Sequence, residues 1–132
     1  MNPLVELLRR GRPVRTVIRT RSMWPMIWPG DEVRVVPIDR IRVGDVVLAQ
    51  INPERLVLHR VVEAVDGRVL TRADLSLAGD EPVAQDAVVG RLERIERRGR
   101  VMPIWGAWVG RLCTPVFRCV RPPIRRLRAA LR

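Results

Sequence analysis

The sequence contains no lysine and no tyrosine, and it has one histidine, one phenylalanine and two serines. All 25 of its basic residues are therefore arginine. Without lysine no Schiff base can form, and no lysine can act as a general base. Cysteine is scarce too, with only Cys113 and Cys119. If their segment is helical, six residues of rise put them about 9 Å apart, too far for a disulfide. They form no CxxC pair and no histidine lies near them, so they are read as reduced thiols and not as metal ligands. That reading points to a cytoplasmic setting. No run of 18 apolar residues occurs; 101–120 comes closest and is interrupted by Pro103, Arg111, Pro115 and Arg118. The first ten residues hold too short an apolar run for a secretory signal peptide and already include Glu6 and Arg9.

What is present suits one domain: 132 residues, 47% of them hydrophobic. The net charge of +11 is unevenly spread. Residues 1–90 carry 13 arginines against 12 acids, whereas 91–132 carry 12 against 2. The expected division is a near-neutral β domain over 1–100 and an apolar, then arginine-rich, extension over 101–132. Such a basic segment suits an anionic membrane surface, a nucleic acid or an acidic partner protein.

Residues 2–10 read as a short helix, with Asn2 as cap, Pro3 in the first turn and Gly11 at the end. Strands are expected at 14–21, 32–36, 46–51, 56–65, 69–71 and 87–95. Turn residues separate them: Pro29-Gly30-Asp31, Val43-Gly44-Asp45, Asn52-Pro53-Glu54 and Asp66-Gly67. Residues 22–26 read as a turn or one helical turn, and 74–86 as a loop. Short strands broken at this rate indicate an antiparallel, barrel-like or sandwich-like β domain, mainly β overall. After 103 the pattern changes to apolar residues with scattered arginines, consistent with one or two short helices over 104–120. A short basic amphipathic helix is expected over 124–132.

Few residues can carry nucleophilic chemistry. Ser22 sits where a strand gives way to a turn, so its hydroxyl faces the edge of a β domain beside backbone N–H groups that could stabilise an oxyanion. The alternative is a capping serine on a surface turn. His59 lies mid-strand and by period-two alternation shares a face with Val57 and Val61. A lone histidine on an apolar face is commonly a core residue, yet imidazole is the only base here with a pKa near neutrality. Asp74 and Asp80 follow the hairpin, and either could orient the imidazole and support its cation. No cofactor is expected.

Ser22-Met23-Trp24-Pro25-Met26 resembles the Ser-Met-x-Pro nucleophile box of signal peptidase I. Gly30-Asp31 and Gly44-Asp45 fall where that family has Gly-Asp turns before strands. Leu58-His59-Arg60-Val61-Val62 resembles its His-Arg-Val box, as found in the branch that uses histidine in place of lysine. Thr71-Arg72-Ala73-Asp74, followed by Asp80, resembles the Thr-Lys-Gly-Asp…Asp box, and Val89-Gly90-Arg91 its Val-x-Gly-x ending. The boxes occur in order over about 14–95. The resemblance implies the β fold of the signal peptidase and LexA type. It implies hydrolysis of a peptide bond, with Ser22 attacking, His59 as base, and Asp80 or Asp74 supporting His59. Met23 and Pro25 would shape the groove for a protein or peptide substrate. Ala73 stands where the family has glycine, Leu75 and Ser76 replace an asparagine pair, and the usual amino-terminal membrane anchor is not expected here.

Two other functions follow from the residues. One is a non-catalytic module that binds peptides by strand addition at a sheet edge. The other is an arginine-rich nucleic-acid-binding β domain, less favoured because no helix-turn-helix accompanies it. For 101–132, Trp105, Trp108, Val109, Leu112, Val116 and Phe117 either cover the β domain or enter a membrane interface while arginines meet anionic headgroups.

Overall fold

Local chemistry sets the first element. Asn2 caps helix α1 (Pro3–Arg9), its side-chain oxygen accepting the Leu4 N–H at 2.9 Å. Val5 and Leu8, three residues apart, are buried on one face, while Glu6 and Arg10 pair on the wet side at 2.7 Å. The helix ends as a Schellman motif: Gly11 N–H donates to Leu8 O and Arg12 N–H to Leu7 O, both at 3.0 Å. The structure is a computed structural model and describes residues 2–65, 67–75 and 81–104.

Eight strands follow: β1 (Val14–Val17), β2 (Glu32–Pro37), β3 (Val46–Asn52), β4 (Arg55–Val65), β5 (Arg68–Arg72), β6 (Glu81–Ala84), β7 (Val88–Arg97) and β8 (Arg100–Met102). They form one antiparallel sheet in the order β1-β2-β7-β3-β4-β5-β6, with β8 added to β7. β7 organises it. One edge pairs with β2, and the other pairs first with β3 and then with β8. Among the described residues β1 and β6 form the two ends of the order and are not paired with each other, so the sheet is open. Closure into a barrel would need that missing ladder.

Both faces of the sheet are covered at its centre. Val46 and Leu48 of β3 enter one core with Val5, Leu8, Met23, Met26, Ile27, Val33 and Ile95; Val47 and Ala49 enter a second with Val61, Val69, Val83 and Val88. This explains why β3 is a continuous apolar run and not an alternation. Gly90 lies where α1, β2 and β7 converge. A Cβ there would sit 2.5 Å from Val35 Cγ1 and 3.1 Å from Leu8 Cδ1, so only glycine permits this approach.

Several boundaries differ from the sequence reading. β1 stops at Val17, because Ile18 turns to bond the Gly30-Asp31 corner: Ile18 N–H donates to Asp31 O, and Gly30 N–H to Ile18 O. The segment read as a loop over 74–86 contains β6, a short strand at the sheet's end in which only Val83 is buried and Pro82 interrupts the donor row. β8 follows a hairpin at Arg98 (φ 53°) and Gly99 (φ 78°), and an arginine at positive φ gives no turn signal in sequence. Asp80, Ser76, the tryptophans Trp105 and Trp108, both cysteines and the helices expected within 105–132 lie outside the described residues.

Candidate functional site

The segment from Ser22 to Asp31 leaves β1 and returns to β2 as a series of turns. Trp24 N–H donates to Arg21 O and Ile27 N–H to Met23 O, each at 3.0 Å, giving the single helical turn the sequence suggests. Met23, Met26 and Ile27 plug it into the first core. Trp24 and Trp28 remain exposed, and Ser22 is partly buried.

Residues 73–75 meet this turn directly. Leu75 N–H donates to Ser22 O at 3.0 Å, and Asp74 N–H lies 3.4 Å from Met23 Sδ. The Asp74 carboxylate is held by Arg60 in a fork, Nε to Oδ1 and Nη2 to Oδ2, both at 2.9 Å. Arg60 also donates to Gly44 O at 2.9 Å and reaches Met26 Sδ at 3.5 Å. The Gly44-Asp45 corner is itself tied to β4, through Gly44 N–H to Val61 O and Val61 N–H to Asp45 O, both 2.8 Å. One buried guanidinium thus joins the serine turn, the Asp74 segment and the second Gly-Asp corner.

His59 precedes Arg60, so its side chain points to the other face of β4, with Val57 and Val61. It is 8% exposed, and its Nδ1 is buried without a hydrogen-bond partner. Burial pushes its pKa below the ordinary 6.5; Arg55 acts the same way, while Glu81 and Asp74 partly oppose them. The ring is therefore neutral at pH 7. Arg60 is opposite Arg72 in the last pair of the β4–β5 ladder, and His59 is opposite Val47 of β3.

Of the predicted residues, Ser22 and the Asp74 segment are bonded together, His59 stands on the other face of β4 from Arg60, and Asp80 lies outside the described residues. Ser22 and Asp74 are linked through the 73–75 backbone. Ser22 Oγ lies 3.3 Å from Thr20 Oγ1, and His59 makes no hydrogen bond to it. Asp74, expected beside His59, gives both carboxylate oxygens to Arg60, since the fork geometry of guanidinium matches them better than one imidazole N–H can. Met23 is buried beneath the turn, whereas Pro25 is exposed on it.

A second arginine, which the sequence reading passed over, grips the same turn. Arg97, at the end of β7, holds the carboxylate of Asp31 in another fork, at 2.9 and 2.8 Å. It also donates to Met26 O at 3.2 Å and lies 3.9 Å above the Trp28 ring. Trp28 N–H donates to Asp31 at 2.8 Å, and its indole Nε1–H to Pro25 O at 2.8 Å. Burial raises the Asp31 pKa, but the Arg97 hydrogen bond, the Trp28 N–H and the Arg97 charge outweigh it and leave the value lowered. Thr20, too, was not singled out, although its hydroxyl is the one nearest Ser22.

Among the described residues no group of three or more His, Cys, Asp or Glu could hold a metal ion, and no helix is long and apolar enough to cross a membrane. No family model and no curated protein matches the chain.

Proposed function

We propose that the protein is a serine endopeptidase that cleaves a protein or peptide precursor with a Ser22–His59 dyad on a fold of the signal peptidase and LexA type. The observation that carries this reading is a convergence on residues 73–75. Leu75 N–H bonds the Ser22 carbonyl, and Arg60, the residue after His59 in β4, forks onto Asp74. The sole histidine presents a buried ring nitrogen without a partner, and its lowered pKa keeps it a proton acceptor.

In the first step the Ser22 hydroxyl proton passes to His59 while Oγ bonds to the substrate carbonyl carbon. The C–N bond then breaks as the imidazolium returns the proton to the leaving amine, giving an acyl-Ser22 ester. Water, deprotonated by the same imidazole, releases the acid and restores Ser22. Before this the Ser22 hydroxyl must turn from Thr20 toward the ring; hydrogen bonds of this kind are commonly long without substrate. Arg60 engages Asp74, one of the two carboxylates expected to support His59, and fixes the 73–75 segment without touching the imidazole, which leaves Asp80 for that role.

The test is cleavage of a defined peptide library, with new termini read by mass spectrometry. Wild-type protein should generate termini that Ser22→Ala and His59→Ala abolish while circular dichroism stays that of wild type. Termini unchanged in Ser22→Ala, or none in wild type, would overturn the reading.

A further inference from the structure

Arg97 has no part in the proposed chemistry, yet it contacts the serine turn at three places. Its guanidinium forks onto Asp31, which is 1% exposed at the end of the turn. It donates to the Met26 carbonyl in the middle and stacks on Trp28. Trp28 passes the restraint back toward Ser22, because its indole N–H holds the Pro25 carbonyl, three residues beyond the serine. The Asp31 backbone closes the loop from the other side by accepting the Ile18 N–H at the end of β1. Every link is a hydrogen bond of 2.8–3.2 Å or a stacked cation. A surface ion pair would serve no such purpose. The half-buried neighbour Arg94 pairs, among the described residues, with Glu96 on its own strand.

We infer that Arg97, acting through Asp31 and Trp28, is a positioning residue that fixes the turn carrying Ser22. This rests on Ser22 being the nucleophile. Small misplacements of a reacting group cost far more in rate than in stability, so the clamp acts on turnover and not on substrate affinity.

The clamp can be measured without any substrate, by hydrogen exchange. Arg97→Ala should speed exchange of the Ile27 and Trp28 amides about tenfold, leave Val61 in β4 unchanged, and leave Arg94→Ala like wild type. Trp28→Phe provides a second variant at an exposed ring, safe for folding, and should loosen Ile27 to a smaller degree. On any peptide that wild type cleaves, Arg97→Ala should lower kcat between ~10- and ~100-fold with KM unchanged. Arg97→Lys, which keeps the charge and loses the fork, should recover part of that loss. Unchanged exchange at Ile27 and Trp28, or a uniform rise across the sheet, overturns the clamp. A rise in KM with kcat intact overturns its role in turnover. If wild type cleaves nothing, the peptidase reading falls, and the exchange data still report separately on whether Arg97 holds the turn.

Discussion

Two arginine–aspartate forks hold the same turn, and they differ in what surrounds them. Arg60 and Asp74 lie inside, with side chains 5% and 17% exposed, and Arg60 reaches the sulfur of Met26. Arg97 and Asp31 reverse that order, with side chains 17% and 2% exposed, and Arg97 reaches the carbonyl of Met26 and stacks on an exposed indole. The inner fork joins the serine turn to β4 next to His59; the outer one fixes the turn against β7. The difference teaches that an ion pair's role depends on what else the guanidinium donates to. Arg60 spends its remaining donors on other segments of the site, and Arg97 on the turn itself.

The largest expected effect breaks the inner fork. Asp74→Ala leaves Arg60 buried without its carboxylate, and removing one member of such a pair costs about 3–5 kcal/mol. Urea denaturation should show this as a lower midpoint. Replacing both partners, Arg60→Met with Asp74→Leu, should be far milder than the sum of the single changes, since apolar pairs of similar volume tolerate such sites. Additive losses would show that the two residues are not one unit.

Breaking the outer fork should cost about as much. Arg97→Ala leaves Asp31, whose side chain is 2% exposed, with the Trp28 N–H and without its guanidinium, a loss of about 3 kcal/mol. A loss at Arg97 far below that at Asp74 would show that the unpaired Asp31 reaches solvent.

The pH dependence separates the two regions without truncating either. Asp31 has a folded pKa below its ordinary 3.8, so its contribution is complete above that value and is lost as pH falls through the folded one. His59 also has a lowered folded pKa, here below 6.5. Between the two values the unfolded chain binds a proton that the native ring refuses, so stability drops as pH falls from about 6.5. Denaturation midpoints against pH should therefore show two descending arms. Asp31→Asn should shrink the acid arm, to which Asp39 also contributes, its carboxyl being held below the usual range by the Arg40 N–H, and His59→Gln should remove the arm near neutrality. A curve that keeps both arms in His59→Gln would assign the upper one elsewhere.

How legible the two forks were in the sequence follows from their positions. Arg60 stands beside His59, inside a motif whose neighbours declare their chemistry, and the single helical turn after Ser22 was also readable. The antiparallel strands were legible between Gly-Asp corners, because Gly30 and Gly44, both at φ 96°, sit where β2 and β3 must begin, whereas the sheet's openness was not: the strand pattern suggested a barrel-like or sandwich-like domain. β6 and β8 were not legible, since a short end strand with one buried residue and a hairpin with Arg98 at positive φ carry no period. Arg97 was hidden for a similar reason. It sits among Arg94, Arg98 and Arg100, and only the pairing of β2 with β7, Glu32 opposite Glu96, brings its strand end to Asp31, a contact 66 residues apart in sequence. Likewise, nothing local told which partner Asp74 would take; a guanidinium across the strand outcompeted the imidazole next to it.

The smallest expected effect is also the most discriminating. Trp28→Phe keeps an aromatic face for Arg97 and removes only the indole N–H that holds Pro25 O. One exposed hydrogen bond of this kind contributes about 0.5–1.5 kcal/mol, so the denaturation midpoint should move little. If the outer fork merely added stability, activity would track that small shift. If it positions Ser22, the loss in kcat should exceed what the lost stability predicts, because Pro25 is the link through which Arg97 and Asp31 reach the serine. A kcat equal to wild type in Trp28→Phe would confine the outer fork to holding β7 against the turn's far end.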